Sequence, residues 1–200
     1  MIENKDSKLE YYDKLIAIYS AFKEQIYNPK SVLYPSCGFD ASPTKVFDNV
    51  TFVDIEKGNE GCIEELKEAG FYALKQDIKT YTPKQLHDLV ILLNPAIHSE
   101  WALQYLRSSG YILSNNYHGN AAWLNNHPKE FNLIGVADCV DGKAIIEKNK
   151  DHNLEKTVTL DSIKESRALE HLMFTHHLRD GYDVGLPFAR QADLYIFQRR

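Results

Sequence analysis

The chain has 200 residues, of which 44% are hydrophobic and 26% charged, and it carries a formal net charge of −5 with a pI near 5.9. That size suits one globular domain with a substantial core, and no stretch reaches the ~18 uncharged apolar residues of a membrane-spanning helix. The acidic balance and the lack of long basic runs turn the expectation away from a polyanionic partner, so nucleic acid is disfavoured.

The start Met1-Ile2-Glu3-Asn4-Lys5-Asp6 has neither the basic head nor the apolar stretch of a secretory signal. Cys37, Cys62 and Cys139 are too widely spaced for a CxxC metal site and too few for a disulfide framework. A reduced, cytoplasmic protein without a membrane anchor is the expectation.

Ser7 and Glu10 have capping-box spacing, and Leu9, Tyr12, Leu15, Ile16, Tyr19, Phe22 and Ile26 follow at helical periodicity, ended by Asn28-Pro29. Ser31 to Tyr34 predicts a short buried strand stopped by Pro35 and Gly38. Val50 to Val53 predicts a second strand, ending on Asp54. Glu60 to Ala69 predicts a helix with Gly70 beyond it, and Phe71 to Lys75 a third strand. Thr82-Pro83 reads as a cap and first-turn proline opening a short helix. Leu89 to Leu93 is the strongest buried strand. A helix from Ser99 to Ser108 with Gly110 after it leads into a fifth strand, Tyr111 to Ser114.

The later part is organised differently. Phe131 to Val140 alternates weakly, Asp141-Gly142 predicts a hairpin turn, and Ala144 to Ile146 can pair back. A long helix is expected from about Asp161 to Leu178, and Ala192 to Phe197 predicts a last strand. Strands alternating with helices predict an α/β fold: a mostly parallel sheet in a three-layer α-β-α sandwich. No linker or repeat divides the chain. One domain over 1–200 is therefore expected, with an N-terminal helix in 1–28, a core in 31–117 and a C-terminal half in 119–200.

Ligands of open parallel sheets sit at the carboxyl ends of the strands. Tyr34-Pro35-Ser36-Cys37-Gly38-Phe39-Asp40 follows the first strand. Gly38 permits a tight turn and close backbone approach, and Asp40 can accept from a ligand amine. Asp54 ends the second strand, where a carboxylate suits the vicinal hydroxyls of a ribose, close to the ~20-residue spacing of nucleotide-binding βαβ units. Gln76-Asp77 and Asn94-Pro95 follow the third and fourth strands.

This ordered set resembles a divergent class I S-adenosylmethionine-dependent methyltransferase, a Rossmann-like family with a seven-stranded sheet and an antiparallel C-terminal strand. The resemblance covers about residues 31 to 117. It implies S-adenosylmethionine as cofactor and assigns cofactor contact to Pro35, Cys37, Gly38, Asp40, Asp54, Ile55, Asp77, Ile78 and Asn94. The Pro35 to Asp40 loop would face the methionine end, Asp54 the ribose, Asp77 with Ile78 the adenine, and Asn94 the methyl group and acceptor.

The chain also departs from the family. Its loop keeps one glycine where two or three are usual, and Ser42 to Phe47 leaves room for only about two helical turns at ~3.6 residues per turn. Asn94-Pro95-Ala96-Ile97 lacks the second proline and aromatic found in enzymes that methylate exocyclic amines. That departure argues against a DNA adenine or glutamine methyltransferase, and the acidic balance turns the expected acceptor toward a small molecule or a protein side chain. The alternative is a Rossmann-like binding module that no longer transfers methyl groups.

Each residue also has a plainer reading. Gly38 can be a loop glycine, Asp54 a strand-end acid, Asp77 a turn cap and Asn94-Pro95 a strand-ending turn. His98 and His118 follow strands four and five and join Asn94 as candidate catalytic residues, because an imidazole of pKa ~6.5 removes protons at neutral pH. Both suit surface positions equally well. His171, His176 and His177 do not share one helical face, so no metal is expected.

Overall fold

The computed structural model describes residues 7–93, 95, 97–157 and 188–200. Among them, eight strands build one sheet: β1 (Val32–Pro35), β2 (Val50–Asp54), β3 (Tyr72–Lys75), β4 (His87–Leu92), β5 (Leu106–Ser114), β6 (Phe131–Val140), β7 (Lys143–Lys148) and β8 (Leu194–Arg199). Their order is β3-β2-β1-β4-β5-β8-β6-β7. The first five are mutually parallel, and β8 runs antiparallel to both β5 and β6.

Strands buried on both faces read as continuous apolar runs, and β1, β2 and β4 are buried at every position. Successive residues then serve opposite layers. Val32, Tyr34, Phe52, Leu89 and Ile91 meet Ile18, Tyr19 and Phe22 of α1 (Asp13–Gln25) and Cys62, Ile63 and Leu66 of α2 (Cys62–Glu68). Leu33, Val53, Val90, Leu92 and Ile112 meet Ala102 and Leu103 of α3 (Ser99–Leu103) and Ala121 and Leu124 of α4 (Asn120–Asn125).

The three-layer Rossmann-like sandwich expected from sequence is present, with one strand more than the seven of the resemblance. The added strand is β7, outer arm of the predicted hairpin. Its turn places Asp141 at φ 49° and Gly142 at φ 74°, the two left-handed positions that match the twist of paired strands.

Several local expectations are corrected. The Ser7/Glu10 capping box does not form. Glu10 instead bridges to Asp40, its N–H donating to the Phe39 carbonyl at 2.9 Å and its carbonyl accepting from Ala41 at 2.9 Å, so α1 begins only at Asp13. Ser42 supplies the missing cap from outside, its Oγ accepting from the Tyr12 N–H at 2.8 Å. The first crossover shrinks to a 3-10 turn, Ser42–Lys45.

No helix follows Thr82-Pro83; the turn lies earlier, at Ile78–Thr80, capped by Asp77. The helix after Ser99 stops at Leu103, and β5 already starts at Leu106. Arg107 reaches Asp88 across the β4/β5 pair at 2.9 Å, and the register shifts there. Gly110 thus serves an irregular strand, where an added Cβ would meet Leu106 Cδ1 at 2.6 Å. The expected helix from Asp161 to Leu178, with His171, His176 and His177, lies outside the described residues.

Candidate active site

Strand order reverses between β1 and β4, and a cleft of about 660 Å³ opens at the carboxyl ends of the parallel strands there. Its floor is the turn after β1, Ser36 to Asp40, with Tyr34 and Leu93. One wall is the N-terminal segment, through Glu10, Tyr12, Lys14 and Leu15. The other is Asn115 after β5 with Asp193 and Leu194 at the start of β8.

The turn after β1 carries two left-handed positions, Ser36 at φ 51° and Gly38 at φ 55°. At Gly38 glycine also admits a close neighbour: an added Cβ would stand 3.3 Å from Asn59 Nδ2. The turn is held from β2. Asp54 is buried, and its Oδ2 accepts from the Gly38 N–H at 3.0 Å while Oδ1 accepts from the Glu56 N–H at 2.6 Å.

Glu56 continues the chain of supports. It adopts φ 61°, accepts from the Ile63 N–H at 2.9 Å in the first turn of α2, and pairs with Lys75 at 2.5 Å. The hydrogen bond from Lys75 leads the causes that hold its carboxyl below the usual range.

Asp40 is more than nine-tenths buried. Its Oδ2 accepts from the Tyr34 hydroxyl at 2.8 Å, and its Oδ1 from Ser42 N–H at 2.8 Å and Oγ at 2.5 Å. All three donors are neutral, and burial raises its pKa against the pull of those bonds. Burial likewise pushes the Cys37 thiol well up, which suits a packed floor residue rather than a thiolate nucleophile. At the rim the Tyr12 hydroxyl donates to the Glu10 carboxylate, and that bond leads the causes raising its pKa to about 12. Lys14 Nζ spans to Asp193 Oδ1 at 2.5 Å, while Asp193 Oδ2 accepts from the Cys139 N–H at 2.9 Å.

The residues singled out from sequence fall into three groups. Cys37, Gly38 and Asp40 line the cleft, and Pro35 is buried at the end of β1 beneath it. Asp54, Ile55, Asp77 and Ile78 extend away along the ends of β2 and β3: Ile55 is exposed, Ile78 is buried, and Asp77 Oδ1 accepts from the Lys79 N–H at 2.9 Å. His98 and His118 are apart from the cleft lining. The His98 ring stacks on Trp101 with centroids 4.4 Å apart, and His118 packs edge-on to Tyr117 at 4.8 Å. Asn94 lies outside the described residues.

Ser36 lies in the Pro35 to Asp40 loop assigned from sequence; Asn59, Asn115 and Asp193 were missed, and Glu10, Tyr12 and Lys14 of the N-terminal wall were not singled out as site residues. Asn115 was accessible to the strand-end rule that found the others. The Lys14–Asp193 pair joins opposite ends of the chain, and nothing local signals it. Among the described residues no three His, Cys, Asp or Glu side chains group to hold a metal, and no helix is long and apolar enough to cross a membrane.

No protein-family profile matches the chain, and no curated protein matches it. Among solved structures it is similar to the plantazolicin methyltransferase BpumL in complex with a pentazolic desmethylPZN analog and S-adenosylhomocysteine. That match has 13% identity, covers 94% of this chain and 82% of the other, and has a TM-score of 0.45. It is also similar to residues 961–1257 of the StiE O-methyltransferase, at 13% identity, 91% and 72% coverage and a TM-score of 0.47. A third likeness is to the N-methyltransferase NodS from Bradyrhizobium japonicum WM9 with S-adenosylhomocysteine, at 11% identity, 68% and 85% coverage and a TM-score of 0.45. The match to another structure of NodS spans 63% of that chain.

Proposed function

We propose that this chain is an S-adenosylmethionine-dependent methyltransferase, cytoplasmic and of a single domain, acting on a small molecule or a protein side chain. The observation that carries this reading is the position of the cleft. It opens where strand order reverses, and its floor is a glycine turn tied by hydrogen bond to the carboxylate ending β2.

The donor set suits the cofactor. A carboxylate offers about four lone-pair sites, and the Asp54 carboxylate accepts one N–H at each oxygen, leaving capacity for the two ribose hydroxyls. Exposed Ile55 offers apolar surface beside Asp54, and Asp77 and Ile78 would border the adenine. Buried Asp40, with only neutral donors, complements the positive charge at the methionine end, against the turn Pro35 to Asp40. The cofactor would supply a methyl group already activated on a sulfonium. What remains for the protein is to position the acceptor in line and exclude water. The N-terminal wall, Glu10 to Leu15, serves that exclusion. No proton-transfer role falls to His98 or His118 in this reading.

Calorimetric titration with S-adenosylmethionine and S-adenosylhomocysteine tests it. Saturable binding by the unmutated protein, lost in Asp54→Ala, is expected. No binding by the unmutated protein overturns the reading and leaves the second one, a Rossmann-like module without methyl transfer. That second reading is favoured by the turn's single glycine and the shortened first crossover.

A further inference from the structure

The two walls of the cleft are tied across its mouth by an ion pair. Lys14 stands with Leu15 on the N-terminal wall, and Asp193 with Leu194 on the opposite one. Lys14 Nζ reaches Asp193 Oδ1 at 2.5 Å, with 53% of the lysine side chain and 27% of the aspartate side chain exposed. The contact therefore sits where the cleft meets solvent, and a molecule entering between those walls must pass it.

The two ends of the pair are held differently. Asp193 is fixed from behind: its Oδ2 accepts from the Cys139 N–H at 2.9 Å, and its own N–H donates to Asp138 Oδ1 at 3.1 Å. Arg190 in turn holds Asp138 Oδ2 at 2.5 Å. The chain then enters β8, buried from Leu194 to Phe197 and paired along both edges with β5 and β6. Lys14 stands on looser ground. It is the second residue of α1, and the buried residues of that helix begin at Ile18, about one turn later.

Helix formation does not account for the lysine. The first turn of a helix carries partial positive charge and favours an acid, which Asp13 supplies, so a cation beside it works against the helix. The partner that makes the position favourable lies across the cleft, at the other end of the chain. An exposed pair of this kind is worth little, and exposed side chains reorient within nanoseconds, so the bond opens without backbone movement. A closed state favoured only slightly slows passage in both directions alike and leaves the affinity inside the cleft as it was.

We propose that Lys14 and Asp193 form a gate across the cleft mouth, with Asp193 as the fixed post and Lys14 as the swinging arm. Resting on the methyl-transfer reading above, the traffic that this gate slows is the entry of the cofactor and the exit of its spent product.

Binding rates for S-adenosylhomocysteine, measured by surface plasmon resonance, test this. Lys14→Met and Asp193→Asn should each speed association and dissociation together by about three- to sixfold, the most that an exposed pair holds back. Asp193→Asn keeps an oxygen for the Cys139 N–H, so the post itself stays in place. The double variant should be no faster than either single one, because each removes the same bond. Unchanged rates, faster association with dissociation unmoved, or speed-ups that multiply in the double variant each overturn the gate.

Thiol labelling reads the same motion without the cofactor. Cys37 lines the cleft, whereas Cys62 is wholly buried in α2. Methyl methanethiosulfonate, followed by peptide mass spectrometry, should modify Cys37 about three- to sixfold faster in either variant and leave the rate at Cys62 unchanged. Equal acceleration at both thiols means a general loosening of the fold and overturns the gate, as does no acceleration at Cys37. Absence of S-adenosylhomocysteine binding by the unmutated protein withdraws methyl transfer alone, and the labelling then decides the gate.

Discussion

The Asp54 carboxylate and the Gly38 amide form the joint of this site, 3.0 Å apart, and they tie the end of β2 to the turn that ends β1. The other Asp54 oxygen accepts from the Glu56 N–H at 2.6 Å, so one buried side chain orients both loops. Truncation to Asp54→Ala leaves two N–H groups without acceptors, each costing about 1–3 kcal/mol. Urea unfolding should show a loss of about 2–6 kcal/mol for this variant, summed from those costs. A loss under about 0.5 kcal/mol, within the range of ordinary surface changes, would mean the joint is not structural.

The two left-handed positions of the β1 turn respond oppositely to substitution. Ser36 carries a side chain at φ 51°, where an L-residue is strained by about 1–2 kcal/mol. Ser36→Gly relieves that strain and loses part of the gain to unfolded-chain entropy, for a net stabilisation of up to about 1 kcal/mol. Gly38→Ala adds the same strain and presses on Asn59, so it should destabilise by about 1–2 kcal/mol. Thermal unfolding of the pair checks the signs, and a destabilised Ser36→Gly contradicts the argument.

Ser42 holds two elements at once. Its Oγ accepts from the Tyr12 N–H that would otherwise be orphaned before α1, and it donates to Asp40. Ser42→Ala should cost about 1–3 kcal/mol through the lost cap and the less satisfied carboxylate. Hydrogen exchange locates the effect: the Tyr12 amide should lose protection, while amides of β6 and β7 should keep theirs.

His87 makes the fold sensitive to mild acid from the opposite end of the sheet. Its ring is buried at the start of β4 between Ser31 Oγ at 2.7 Å and the Tyr81 hydroxyl at 3.0 Å, and burial lowers its pKa to about 4. Above the unfolded value of about 6.5 the ring is neutral in both states and costs nothing. Below it the unfolded chain binds a proton that the folded chain refuses. Stability therefore falls as pH drops from about 6.5 to about 4 and then levels, by at most about 3 kcal/mol. Urea midpoints at several pH values should show this slope in the native protein and a shallower one in His87→Gln. Parallel slopes would remove His87 as the cause.

Local patterns were legible because local physics decides them. Apolar runs in β1, β2 and β4 announce strands buried on both faces, Asp141-Gly142 announces the hairpin, and acids at strand ends announce the edge where a site sits. Helix limits were less legible, since distant partners set them. Arg107 is drawn into β5 by Asp88, and residues 7–12 are drawn out of α1 by Phe39, Ala41 and Ser42.

By itself the sequence determined a parallel sheet with Gly38, Asp40 and Asp54 at its carboxyl edge, because strand period and turn chemistry act between near neighbours. Only the tertiary structure decided what closes the cleft and how it is charged. Glu10, Lys14 and Asp193 become neighbours through a backbone bridge and an ion pair between opposite ends of the chain. Such contacts depend on sheet order and leave no trace in local spacing.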